Sequence, residues 1–122
     1  MKGICGLLAL ALLPAPAKAL TWFCEYPVIC AEGAECQDSS ERAMIVEDGE
    51  YVEIVTSLEQ LTAISISDPE RGDTLYVAPP YYGITTLISV FSNGESRMTV
   101  HTQNDEETYA VNYVGSCDRE GH

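Results

Sequence analysis

Four cysteines are the residues in this chain whose type and spacing best allow chemistry: Cys24, Cys30, Cys36 and Cys117. Three of them sit in one short stretch, Trp22-Phe-Cys-Glu-Tyr-Pro-Val-Ile-Cys-Ala-Glu-Gly-Ala-Glu-Cys36, and the fourth lies near the far end. Metal binding, thiol redox chemistry and disulfide closure are the three uses open to them. Neighbouring cysteines in the trio are separated by five residues, wider than the two to four of compact zinc knuckles. There is no Cys-x-x-Cys pair for a dithiol catalyst. An even count in a short chain reads as two disulfides. Gly33 makes a small Cys30–Cys36 loop sterically easy, which leaves Cys24 for Cys117; Cys24–Cys36 with Cys30–Cys117 is the alternative.

Other chemistry-bearing groups are sparse. The histidines are His101 and His122, and no Gly-x-Ser-x-Gly elbow accompanies them. His101 falls on the outward side of an expected strand. Asp105-Glu106-Glu107 lacks the calcium-loop pattern and reads as a solvated turn. No glycine-rich loop cradles a phosphate. These residues point away from an enzyme and offer no cofactor or metal site. Tyr81 and Tyr82, between two prolines and Gly83, form the best candidate contact patch, since adjacent tyrosines present rigid area at low entropic cost.

The surrounding elements must position these groups. Residues 1–19 show a basic start, an apolar run from Ile4 to Leu13 and Ala17-Lys-Ala19. That is the pattern of a secretory signal peptide, too short to span a bilayer. Cleavage after Ala19 leaves 103 residues, 20–122, enough for one domain. The expected product is periplasmic or secreted, without a membrane anchor; Cys5 lies too early to mark a lipoprotein. The full chain carries a formal charge of −13, and Lys2 and Lys18 leave with the leader. Four arginines then face all 19 acids, a charge near −15. Such a field favours a monomer, disfavours nucleic acid and attracts a cationic protein.

Runs of alternating or β-branched residues predict about eight short strands. They cover Leu20–Glu25 (limited by Pro27), Ala43–Val46, Tyr51–Thr56, Leu58–Ser67, Thr74–Ala78 (stopped by Pro79-Pro80), Ile84–Phe91, Ser96–Thr102 and Thr108–Val114. Ala31–Arg42 reads as a loop or one loose helical turn. Asp48-Gly49 and Asn93-Gly94 mark hairpins, and Asp68-Pro-Glu-Arg-Gly-Asp73 marks a turn. Within strand four the alternation runs through Thr62, Ile64 and Ile66. Ile84, Thr86, Ile88 and Val90 share a face, as do Met98 and Val100 on the next strand, with Arg97, Thr99 and His101 opposite. The expected fold is all-β, a small antiparallel barrel or sandwich closed by two disulfides, with Cys24 pinning the first strand to the last.

This layout resembles the small periplasmic β-barrels that inhibit C-type lysozyme, the MliC-type family. Phe23-Cys24 and Cys117 match that family's frame, and Phe91-Ser-Asn-Gly-Glu-Ser-Arg-Met-Thr-Val100 is similar to its central hairpin. The family's Ser-Gly-rich inhibitory loop and Lys-Gly hairpin have no counterpart, residues 20–122 hold no lysine, and Cys30 and Cys36 are additional. The resemblance therefore implies a barrel and no inhibitory residues. The chain is also similar to small exported alphaproteobacterial proteins with a close cysteine trio, which implies a periplasmic home. The expected function is a non-enzymatic binding module, with inhibition of a cationic hydrolase such as lysozyme as its sharpest form. The alternative is a structural or envelope-stress protein with no small-molecule site.

Overall fold

A computed structural model describes residues 20–103 and 106–119. The leader pattern of 1–19, Cys5, Asp105 and His122 lie outside the described residues. Eight antiparallel strands follow one another in chain order and close into a barrel. They are β1 (Leu20–Ala31), β2 (Gln37–Asp48), β3 (Tyr51–Thr56), β4 (Gln60–Asp68), β5 (Asp73–Tyr81), β6 (Ile84–Val90), β7 (Glu95–Gln103) and β8 (Thr108–Arg119). Each strand pairs with its neighbours in sequence, and β8 returns to β1. The open choice between barrel and sandwich is thereby decided. No helix among the described residues is long and apolar enough to cross a membrane.

The expected strands appear, but four are markedly longer than the sequence suggests: β1, β2, β5, which passes Pro79-Pro80 to reach Tyr81, and β8, which runs on from Val114 to Arg119. β1 runs through Pro27 instead of ending before it. It does so because the ladder is interrupted there on both sides: pairing with β2 shifts between Tyr26 and Val28, and pairing with β8 shifts between Glu25 and Val28. Pro27, which has no N–H to give, thus occupies the one place in a doubly paired strand that asks for none. The stretch expected as a loop, Ala31–Arg42, is mostly strand, since β2 starts at Gln37. Its polar residues show no core-facing alternation because this part of the β1–β2 hairpin projects past β3, whose pairing with β2 spans only Ala43–Asp48.

Period-2 alternation sends one face of each strand into the barrel. The most deeply buried large side chains are Tyr26, Ile45, Val52, Ile54, Tyr76, Ile88, Val90 and Met98. Ile88, Val90 and Thr86 of the expected β6 face are all buried, as is Met98. Eight strands enclose a space that side chains just fill, so the interior is a packed core. On β4 the buried residues are Leu61 and Ala63, so the Ile64–Ile66 face stands outward.

The two disulfides are Cys24–Cys117 and Cys30–Cys36. Cys24 and Cys117 are directly opposed across the β1–β8 seam, with Cα atoms 4.0 Å apart, and both are buried. Cys30–Cys36 closes the five-residue loop between β1 and β2.

Two tyrosines cross the interior. The hydroxyls of Tyr26 and Ser96 share a buried hydrogen bond of 2.9 Å, and Tyr76 accepts one of 3.0 Å from Trp22 Nε1. Every buried side-chain polar atom among the described residues has a partner, as a low-dielectric interior demands. Burial pushes the Tyr26 phenol up to about 12, with the Ser96 bond pulling weakly the other way. Burial, then the nearby Glu47 charge, raises Tyr76 as well.

A pH dependence follows. Below pH 10, folded and unfolded chains both keep these phenols protonated, and their contribution is constant. Above it the unfolded chain ionises first, so unfolding releases protons and stability falls until the folded phenol titrates. With the Tyr26 phenol held up to about 12, roughly 2–3 kcal/mol is lost across that window. Urea midpoints measured from pH 9 to 12 should fall steeply, and Tyr26→Phe should flatten the decline. An unchanged slope in that variant would assign the effect elsewhere.

Candidate functional site

Strand polarity places the β1–β2 loop, the β3–β4 turn, the β5–β6 turn and the β7–β8 turn at one end of the barrel. Tyr81 and Tyr82 lie on the β5–β6 turn. β5 reaches them despite Pro79 and Pro80 because its ladder with β4 stops at Val77, so no strand on that side asks these prolines for an N–H. A register shift between Ala78 and Tyr81 then carries the chain into the tip.

The tip is a two-residue turn, Tyr82-Gly83, with φ of 51° and 78°. Both values are left-handed, the pattern of a type I′ hairpin turn, which normally takes Asn-Gly. Tyr82 is the only non-glycine among the described residues with positive φ, and a bulky side chain there costs about 1–2 kcal/mol. Gly83 is needed twice: for its φ, and because a Cβ would lie 2.6 Å from the Gln103 carbonyl oxygen. The Gln103 N–H in turn donates to the Gly83 carbonyl at 2.8 Å, tying the tip to β7. The strain is spent on display. Tyr82 is 86% exposed and Tyr81 58%, and their rings meet edge to face with centroids 4.5 Å apart.

Beside this tip runs an open groove of about 460 Å³, lined by Glu32, Pro80, Thr85, His101, Gln103 and Tyr109 among others. His101 faces outward between Thr85 and Ala110, as the strand pattern requires. Glu32 comes from the disulfide-closed loop. Its N–H donates to the Ala110 carbonyl at 3.0 Å, and its Oε2 accepts from the Ala110 N–H at 2.9 Å. The loop is thereby stitched onto β8 as one wall of the groove. At the barrel mouth a slot of about 110 Å³ lies between Leu61, Ile84, Met98, Val100 and Tyr113, with Glu41 at its rim. Glu41 accepts from Ser57 Oγ at 3.0 Å and from the Ser57 N–H at 3.3 Å. Burial first, and the Glu41 charge second, raise the Tyr113 phenol.

Charge is unevenly placed. Acids stand at both ends, Glu32, Glu35, Asp38, Glu41, Glu59, Glu106 and Glu107 at this one and Asp48, Glu50, Asp68, Glu70, Asp73, Glu95 and Asp118 at the other, but Arg71, Arg97 and Arg119 lie toward the other end. Arg42, on the wall, faces Glu25 at 3.7 Å. An anionic rim around exposed aromatic faces can bind cations by Coulomb attraction and by ring quadrupoles.

The structure sets Pro80 and Gly83, which flank Tyr81 and Tyr82, in the wall of the groove that His101 also lines, and it keeps all four cysteines in disulfides apart from that groove. Sequence reasoning missed Glu32, Tyr109 and the groove. Four strands and a loop distant in sequence build it, and no local pattern marks such a wall. Among the described residues, no group of three or more His, Cys, Asp or Glu side chains is placed to hold a metal ion. No protein-family model matches the chain, and no significant match was found among curated proteins or solved structures.

Proposed function

We propose that this chain is an exported, non-enzymatic binding module that captures a cationic protein at the acidic, aromatic end of its barrel. Its sharpest form is inhibition of a cationic hydrolase such as lysozyme. The observation that carries the reading is Tyr82: a bulky residue held in a left-handed turn and left almost fully exposed, at an acid-bearing end of the barrel away from Arg71, Arg97 and Arg119. Strain kept at an exposed tip is characteristic of recognition loops. Export is supported by the leader-like pattern of residues 1–19 and by two disulfides, which persist in oxidising compartments.

The resemblance to lysozyme-inhibiting barrels supports the same partner class but points to a different surface. The hairpin that carries it turns at Ser92–Gly94, at the opposite end from Tyr81 and Tyr82. Variants separate the two. C-type lysozyme should be inhibited by the oxidised protein at micromolar concentration in low salt, with affinity falling as salt rises. Tyr81→Ala/Tyr82→Ala should weaken binding about 30-fold, the effect of losing a central aromatic anchor. Tyr82→Gly should weaken binding while raising the melting temperature, because glycine removes the left-handed cost. No inhibition at micromolar protein sinks the lysozyme form, and full binding by the double variant sinks the site.

A further inference from the structure

β4 is paired on both sides nowhere along its length. It joins β3 only through Gln60–Ala63 and β5 only from Ile64 to Asp68. From Ile64 onward the side facing β3 has no strand among the described residues, and every residue of Ile64–Asp68 is exposed. In an antiparallel strand alternate residues send both main-chain groups to the same side. About half of the N–H and C=O groups of this segment therefore point into an open notch between β4 and the β2–β3 turn. Proteins ordinarily guard such an edge with lysine, proline or a covering loop. Here the edge reads Ile64-Ser-Ile-Ser67, without charge or proline.

The outer surface beside it is apolar. Ile64 and Ile66, each 55% exposed, stand next to Val77 and Leu75 on β5, and Val77 next to Leu87 on β6. In a chain this acidic, Gln60–Ser67 and Thr74–Gly94 contain no charged residue at all. Acids return at the borders of the notch, with Asp48 and Glu50 at the β2–β3 turn and Asp68 and Glu70 at the β4–β5 turn.

We infer that the Ile64–Asp68 edge of β4 is a strand-addition site for an extended partner segment in which apolar and basic residues alternate. The open main chain supplies hydrogen bonds, Ile64 and Ile66 receive the apolar side chains, and the bordering acids receive the basic ones. A second copy of this chain is the poorer occupant, because edge-to-edge pairing would set those acids against their own counterparts. The inference uses a different surface from the tyrosine tip and does not depend on it.

The test uses a capped eight-residue peptide of alternating lysine and valine, and the same peptide N-methylated at alternate residues. The unmodified peptide should protect amides within Ile64–Asp68 from hydrogen exchange. N-methylation, which removes main-chain donors and leaves charge intact, should weaken binding at least tenfold. Ile64→Lys/Ile66→Lys should do the same, while Tyr81→Ala/Tyr82→Ala leaves binding unchanged. Equal binding of the methylated peptide overturns the inference, as does perturbation confined to the Tyr81–Tyr82 end. Concentration-dependent dimerisation that protects Ile64–Asp68 without peptide also overturns it, by assigning the edge to a second copy.

Discussion

Gly115→Ala is expected to destabilise the barrel by at least about 3 kcal/mol, or to prevent folding, although it adds a single methyl group. Gly115 has no positive φ, so its backbone conformation would accept alanine. Space is what forbids it: a Cβ would sit 1.9 Å from the Glu25 carbonyl oxygen and 2.8 Å from Tyr26 Cα. Both are main-chain atoms of the seam strand, at the irregularity that admits Pro27, and cannot swing aside as a flexible side chain could. Gly33→Ala is the matched control. It meets nothing within 4 Å but has φ +78°, so it should cost only about 1 kcal/mol. Urea unfolding of the two oxidised variants checks the contrast. Equal losses would show that the β1–β8 irregularity relaxes to make room.

The second large effect is expected on removing the seam disulfide. Cys24 and Cys117 are 93 residues apart in sequence, and in the chain-entropy model a cross-link closing about 100 residues contributes about 4–5 kcal/mol. Cys24→Ala/Cys117→Ala should lose that amount, a large fraction of a small domain's total of about 5–15 kcal/mol. Cys30→Ala/Cys36→Ala opens a bridge between residues only six apart and should lose about 2 kcal/mol in the same model. The smaller loss should nonetheless carry a local signature. The loop that presents Glu32 to Ala110 would loosen, so amide protection at Ala110 should fall while the core tyrosines stay protected. Chemical denaturation of both double variants gives the ranking, and a reversed order would contradict the entropic account of the seam.

Much of the barrel is legible in the residues, for identifiable reasons. Alternation on β6 through Ile84, Thr86, Ile88 and Val90 is a direct projection of a strand with one buried face. The Asn93-Gly94 signal holds because Gly94 supplies φ +90° to a tight turn, with its N–H on the Phe91 carbonyl and the Asn93 side chain accepting from Glu95. Asp48-Gly49 also turns the chain, one residue later than its pattern implies, with Gly49 and Glu50 between the paired Asp48 and Tyr51. Cysteine spacing leads to the disulfides observed.

Illegible were features that arise only on closure. Gln37–Arg42 is strand because β1 and the Cys30–Cys36 bridge hold it alongside, not through any apolar pattern of its own. Ile64 and Ile66 satisfy a strand period yet belong to the outside, since Leu61 and Ala63 take the core. Which of two alternating faces turns inward is a property of the neighbours. The groove is of the same kind: Glu32, His101 and Tyr109 meet only after β6, β7, β8 and the first loop are assembled.

The meander has a kinetic side. Seven of its eight junctions join strands adjacent in the chain, and each can zip from a short turn. The eighth joins the first strand to the last and must close a loop of nearly the whole chain before any contact rewards it. In the reduced protein that search falls within the folding reaction and should limit its rate. Once Cys24 and Cys117 are joined the search is already over, and every junction is local. Oxidation should therefore speed refolding far more than it slows unfolding, making the thiol state of one residue pair a clock for barrel assembly.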